Sequence, residues 1–155
     1  MAVKPVPEGY HTVTPYLFCK GAAAAIEYYK KAFGATEVMR FGAPDGQIGH
    51  AEIKIGDSVI MLADEFPDMK ALSPPTIGGT PVLIMLYLDD VDRVFNRALA
   101  AGGKQLHPVE DKFYGDRTGT LIDPFGHMWG IATHKEDVSP EEMKRRADAA
   151  AKQTK

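Results

Sequence analysis

The chain has 155 residues, 45% hydrophobic and 25% charged, with a formal net charge of -3, which fits one soluble globular domain with a sizeable core. The slight acidity argues against a nucleic-acid partner, which selects a basic face, and no run approaches the roughly 18 apolar residues of a membrane span. The single cysteine, Cys19, excludes an intramolecular disulfide framework, and Met1–Pro5 lacks the apolar core of a secretion signal, so a reducing, cytoplasmic location is expected.

In chain order, Val13–Phe18 reads as a strand and Gly21–Phe33 as a helix. Ile26, Tyr29 and Phe33 recur at spacings of three and four on one helical face, and Gly34 supplies the stop. Strands are expected over Ala35–Phe41, His50–Ile55 and Ser58–Ala63, the last two joined by a tight turn at Gly56-Asp57. Asp64–Thr80 reads as a connection. The pattern then starts again: a strand over Val82–Leu88, and a helix over Val91–Ala101 with Asp90 as N-cap and Gly102-Gly103 as stop. Strands over Lys104–Val109, Thr118–Asp123 and Met128–Thr133 follow, with turns at Gly115 and Pro124–His127. Gly46 aligned with Gly115, an offset of 69 residues, places Ile53 on Ile122, Ile60 on Trp129 and Met61 on Gly130.

The expected fold class is therefore α+β: two tandem βαβββ modules, about residues 10–65 and 80–134, forming a curved mixed sheet around a concave pocket. Each half has only about 55 residues, too few for an independent core, so residues 1–137 are read as one domain. Residues 138–155 form a helical tail, with Ser139 as N-cap, Pro140 at the first helical position, and acidic before basic residues along the helix.

Several strings carry a family resemblance. Ala25-Ile26-Glu27-Tyr28-Tyr29-Lys30-Lys31-Ala32-Phe33-Gly34-Ala35 resembles the first helix of glyoxalase and bleomycin-resistance proteins. Gly115-Asp116-Arg117-Thr118-Gly119 and Asp123-Pro124-Phe125-Gly126-His127-Met128-Trp129 resemble the PhnB-like branch of the same vicinal oxygen chelate superfamily. The superfamily includes metal-dependent lyases, ring-cleaving dioxygenases, fosfomycin-modifying enzymes and metal-free antibiotic-binding proteins, so fold alone leaves the activity open. The resemblance also implies a homodimer.

By the same resemblance, catalytic members hold a divalent ion with four side chains, usually His, Glu or Gln, from the first and last strand of each half. Those positions fall here on Thr14 and Met61, and on Leu83 (within a residue or so) and Gly130. Thr is a poor neutral donor, Met suits soft metals, and Leu and Gly offer no side-chain ligand. No metal ligands and no cofactor are expected at the usual site.

Strand alternation sorts what remains. Ala51, Ile53, Ile55, Ile60 and Leu62 form an apolar set to pack under the helices, while His50, Glu52, Lys54, Val59, Met61 and Ala63 face the other way. Val82, Ile84, Leu86 and Leu88 are expected under the second helix, and Leu83, Met85 and Tyr87 on the ligand side. His50 and Glu52, at i and i+2, are the sharpest pair and the candidate catalytic residues. They read either as a carboxylate-tuned histidine or as a polar pair at an edge or interface. Thr14 and Tyr16 on the first strand, with Met61, Met85 and Tyr87, complete the candidate ligand-binding set on the strands. Tyr114 is a potential lid, and Arg117 reads either as an anion partner or as a loop support. Asp116, His127 and Trp129 read as structural, Cys19 as a small buried apolar group, and His107 and His134 as exposed and without partners. The partner indicated is a small, partly apolar or aromatic molecule. Three functional readings follow: a metal-independent binding protein, a metal-dependent lyase or dioxygenase with displaced ligands, or a cofactor-free enzyme with His50 as general base.

Overall fold

A computed structural model describes residues 2–154. Two compact units emerge: one comprises the residues up to Pro81 together with Pro124–His127, the other Val82–Asp123 and the chain from Met128 onward. Among the described residues no helix is long and apolar enough to cross a membrane.

In the first unit, β1 (Tyr16–Cys19) leads into α1 (Ala22–Phe33), followed by β2 (Thr36–Gly42), β3 (Ile48–Ile55) and β4 (Ser58–Asp64). The strands form a four-stranded mixed sheet in the order β1-β4-β3-β2, with β1 parallel to β4 and the other pairs antiparallel. Gly34 ends α1 in the left-handed conformation, its N–H bonding to the Lys30 carbonyl. Ile26, Tyr29 and Phe33 are buried on that helix, and Ala51, Ile53, Ile55, Ile60 and Leu62 on the sheet, so the apolar alternation seals one face. The connection after β4 contains a short 3₁₀ turn, Pro67–Met69, and α2, Pro74–Ile77.

The second unit repeats the plan with β5 (Leu83–Tyr87), α3 (Val91–Ala100), β6 (Lys104–Asp111), β7 (Asp116–Ile122) and β8 (Met128–His134), ordered β5-β8-β7-β6. Asp90 caps α3 by accepting the Arg93 N–H. Trp129 is fully buried and donates its indole N–H to Asp123 at 2.8 Å, so it belongs to the core. Helix α4 (Pro140–Gln153) is capped by Ser139 and buries none of its residues. Arg146 nevertheless ties it to Glu136 and to the Phe113 carbonyl.

Matching polar devices start α1 and α3. At the end of β4, buried Asp64 accepts the Gly21 and Ala22 N–H groups at 3.0 and 2.8 Å, and the Ile48 N–H at 2.7 Å. It therefore satisfies orphan donors at the α1 N-terminus while pinning the start of β3. At the corresponding position of β8, the Thr133 hydroxyl accepts the Val91 N–H at 2.9 Å and donates to the Leu88 carbonyl at 2.7 Å.

Register corrects four expectations. The first strand begins at Tyr16, so Thr14 lies outside it and spends its hydroxyl on the His11 carbonyl at 3.2 Å. The residue across from Met61 is Tyr16, and the residue across from Gly130 is Met85, not Leu83. Ile53 pairs with Ile60 and Leu121 with Trp129, so Ile53 corresponds to Leu121 rather than Ile122. The reason is loop length: Ile55 and Ser58 flank a two-residue turn, whereas Ile122 and Met128 enclose five residues. Finally, Val82 precedes β5 and is exposed instead of packing under α3.

Candidate functional site

The first unit brings its predicted polar residues together on the sheet face opposite α1. Tyr16, Met61, Glu52 and Met39 stand in register across β1, β4, β3 and β2. His50 lies two residues from Glu52 on the same face, as strand alternation requires. Glu52 is only 4% exposed, an unusual place for a carboxylate unless donors surround it. Its Oε1 lies 3.1 Å from His50 Nε2, and its Oε2 accepts a short hydrogen bond from the Tyr10 hydroxyl. The other imidazole nitrogen, Nδ1, is 2.8 Å from the Tyr16 hydroxyl.

These contacts specify a tautomer. A carboxylate accepts, so His50 donates from Nε2; with the proton there, Nδ1 is the acceptor for the Tyr16 O–H. The result is a chain from Tyr16 through His50 to Glu52, with Tyr10 closing the far oxygen. The Tyr16 ring packs against His50 and Phe18, with centroids 5.5 and 5.2 Å apart. Both phenols are held above their ordinary pKa. For Tyr10 the main cause is its hydrogen bond to Glu52, then burial and the Glu52 charge; for Tyr16 it is burial, then the Glu52 charge. Beside this chain lies a cavity of about 380 Å³, lined by Pro5, Pro7, Tyr10, Thr14, Glu52 and Met61 among others. Thr14 thus reaches the cavity from the N-terminal segment rather than from a strand.

The other candidates lie in the second unit. Met85 and Tyr87 are exposed on β5. Tyr87 donates to Asp116 at 2.9 Å, which pushes its pKa up. Tyr114 is half-buried in the turn before β7, edge-on to Phe113 at 5.3 Å. The Arg117 guanidinium makes two hydrogen bonds to Asp92, at 2.8 and 2.9 Å, and one to Asp111 at 3.3 Å. An anionic ligand would have to compete with both carboxylates. Gly115 adopts φ 100°, and a Cβ there would run into the Glu136 carbonyl, which explains the glycine in this turn.

His134 departs from its expectation as a partnerless surface residue. Nδ1 lies 2.7 Å from Asp116 and Nε2 2.8 Å from Asp137, so its pKa is raised, first by Asp116 and then by Asp137. With Tyr87 on the other Asp116 oxygen, this polar cluster borders a cavity of about 440 Å³ lined by Tyr87, Leu88, Asp89, Thr133 and His134. Asp137, three residues beyond His134, was a local signal in the sequence; Asp116 was not. His127 donates from Nε2 to the Phe18 carbonyl at 2.9 Å, a structural role.

The first- and last-strand pairs are Tyr16 with Met61 in one unit and Met85 with Gly130 in the other. Neither pair offers His, Glu or Gln, and a Cβ at position 130 would collide with the Met85 sulfur, leaving no room for a longer ligating side chain. The residues present do not fit a hard or borderline divalent ion. Among the described residues, no group of three or more His, Cys, Asp or Glu side chains is placed to hold a metal ion.

Twin βαβββ units, each with a parallel outer strand pair, are consistent with the glyoxalase fold. The family model for the Glyoxalase/Bleomycin resistance protein/Dioxygenase superfamily matches residues 10–131, and the chain belongs to that superfamily. It is 42% identical over 134 residues to the uncharacterized Mycobacterium tuberculosis protein Rv0887c, covering 84% of this chain and 79% of the relative. Among solved structures, TioX from Micromonospora sp. ML1 is similar with a TM-score of 0.65 and 26% identity, over 80% of this chain and 98% of that one. The PhnB protein of Bacillus cereus shares the fold with a TM-score of 0.61 at 20% identity, over 79% of this chain and 99% of that one.

Proposed function

We propose that this chain binds a small, partly apolar or aromatic molecule on the sheet face of its first unit, without the divalent ion used by catalytic relatives. The observation that carries this reading is the cavity of about 380 Å³ with the buried Glu52 carboxylate at its wall and Tyr10, Thr14, Met61 and proline rings around it. Apolar lining with a few convergent polar groups is the usual composition of a small-molecule site. The residue types at the first- and last-strand positions support the metal-free half of the proposal. Glu52 at the cavity wall orients the ligand, and His50, with Tyr16 hydrogen-bonded to it, holds the Glu52 carboxylate in place. We further take the protein to act as a cytoplasmic homodimer with no nucleic-acid or membrane partner.

One observation favours a second reading, a cofactor-free enzyme. The linked Tyr16, His50 and Glu52 groups can pass a proton: His50 Nδ1 takes it from Tyr16 while Glu52 stabilises the imidazolium that forms. In that case His50 is the general base, and the Tyr16 hydroxyl carries the proton to it.

A thermal-shift screen against divalent ions, aromatic antibiotics and small keto acids tests the proposal, because selective binding raises apparent stability. Stabilisation by an aromatic compound, lost in Glu52→Gln, is the expected result. A stoichiometric divalent ion in protein purified without chelator sinks the metal-free reading. Activity lost in His50→Ala with ligand affinity kept favours the enzyme.

A further inference from the structure

We infer that Tyr10 is a built-in occupant of the site and that the molecule which replaces it is an uncharged hydroxylated aromatic, bound through its O–H to Glu52. This rests on the proposed binding role of the first unit and adds the ligand's chemistry and the side chain it must displace.

The polarity of Glu52 carries the argument. Both of its oxygens meet donors, His50 Nε2 at Oε1 and the Tyr10 hydroxyl at Oε2, in a setting 4% exposed. An anionic ligand placed there would meet an unscreened like charge, and a ligand bearing only acceptors would leave a buried carboxylate oxygen without a donor. A hydroxyl satisfies the oxygen at no charge cost. The site therefore has the opposite polarity to one that chelates an anion on a metal.

Tyr10 already shows the arrangement. Its phenol supplies the donor, and the prolines beside it, Pro5 and Pro7, wall the same cavity. Yet Tyr10 belongs to neither sheet: residues 2–15 contain no helix or strand. Beyond the Tyr10 phenol, its contacts are local or exposed until β1 begins: the Tyr10 N–H meets the Pro7 carbonyl at 3.1 Å, His11 Nε2 lies 3.1 Å from the Asp57 carbonyl, and the Pro15 carbonyl accepts the Met61 N–H at 2.9 Å. A segment held this way opens at low cost compared with the strands it covers. The site is thus occupied by a displaceable phenol, and a free phenol competes for the same oxygen. The raised pKa of Tyr10 agrees, since Glu52 favours the neutral form of any phenol placed there.

The experiment is calorimetric titration of the full chain with phenol, anisole, benzoate and 4-nitrophenol, in wild type, Tyr10→Phe and Glu52→Gln. Phenol is expected to bind more tightly than anisole, and benzoate not to bind. The preference for phenol should grow by roughly tenfold in Tyr10→Phe, which frees the Glu52 oxygen from its internal donor, and shrink in Glu52→Gln. 4-Nitrophenol should bind below its own pKa and be released above it. Equal affinity for phenol and anisole, or preferential binding of benzoate, overturns the inference while leaving a working cavity. Binding of none of the four probes to any of the three proteins overturns both the inference and the binding function beneath it. Should Glu52→Gln unfold, the Tyr10→Phe comparison and the 4-nitrophenol pH series decide alone.

Discussion

Glu52 stands directly across from Met61 on adjacent antiparallel strands, so a buried carboxylate shares its sheet face with a thioether that cannot donate to it. Its donors come instead from His50 on its own strand and from Tyr10 outside the sheet. Removing the charge at Glu52 should therefore be read out at the phenol. In Glu52→Gln, Tyr10 and, to a lesser degree, Tyr16 should titrate at lower pH than in wild type, because the hydrogen bond that favours neutral Tyr10 is weakened and the charge acting on both phenols is removed. Spectrophotometric tyrosinate titration checks this, and an unchanged curve would contradict the contact.

Asp64 should be a stability hot spot. Asp64→Ala leaves the Gly21, Ala22 and Ile48 N–H groups without their acceptor near a closed core. At about 1–3 kcal/mol per unsatisfied buried group, a loss of at least about 3 kcal/mol is expected in urea unfolding. Thr133→Val, which removes one accepted and one donated bond, should cost less, about 1–2 kcal/mol.

The His134 bridge makes a pH-dependent contribution to stability. Because Asp116 and Asp137 raise its folded-state pKa, the contribution is fully present below the unfolded imidazole value, about 6.5, and is lost as pH rises through the higher folded value. NMR titration should show one histidine titrating late, returning toward the ordinary value in Asp116→Asn. A wild-type His134 with an ordinary midpoint would refute the bridge.

Gly130 is required by its neighbour. Gly130→Ala drives a methyl into the Met85 sulfur, and overpacking of this kind costs about 1–3 kcal/mol. The double variant Gly130→Ala/Met85→Ala should recover part of that loss, a coupling that a double-mutant cycle measures directly. Additive losses would mean the two side chains do not meet.

What the sequence by itself determined was local: element order, the tandem βαβββ plan, the caps at Asp90 and Ser139, the Gly34 stop, and the alternation that puts His50 beside Glu52. Each depends on residues a few positions apart, whose geometry follows from helical or strand period and backbone chemistry alone. The family strings added membership in the superfamily. Tertiary structure decided the rest. Strand pairing placed Tyr16 and Met85, not Thr14 and Leu83, opposite the last strands, because the offset between parallel strands separated by a helix and two further strands is not encoded in the local period. It also brought Tyr10 to Glu52, 42 residues away, and Asp116 to His134, 18 residues away. A hydrogen bond across such separations leaves no repeating trace in the chain; only the fold that closes the loop between the partners brings them within reach.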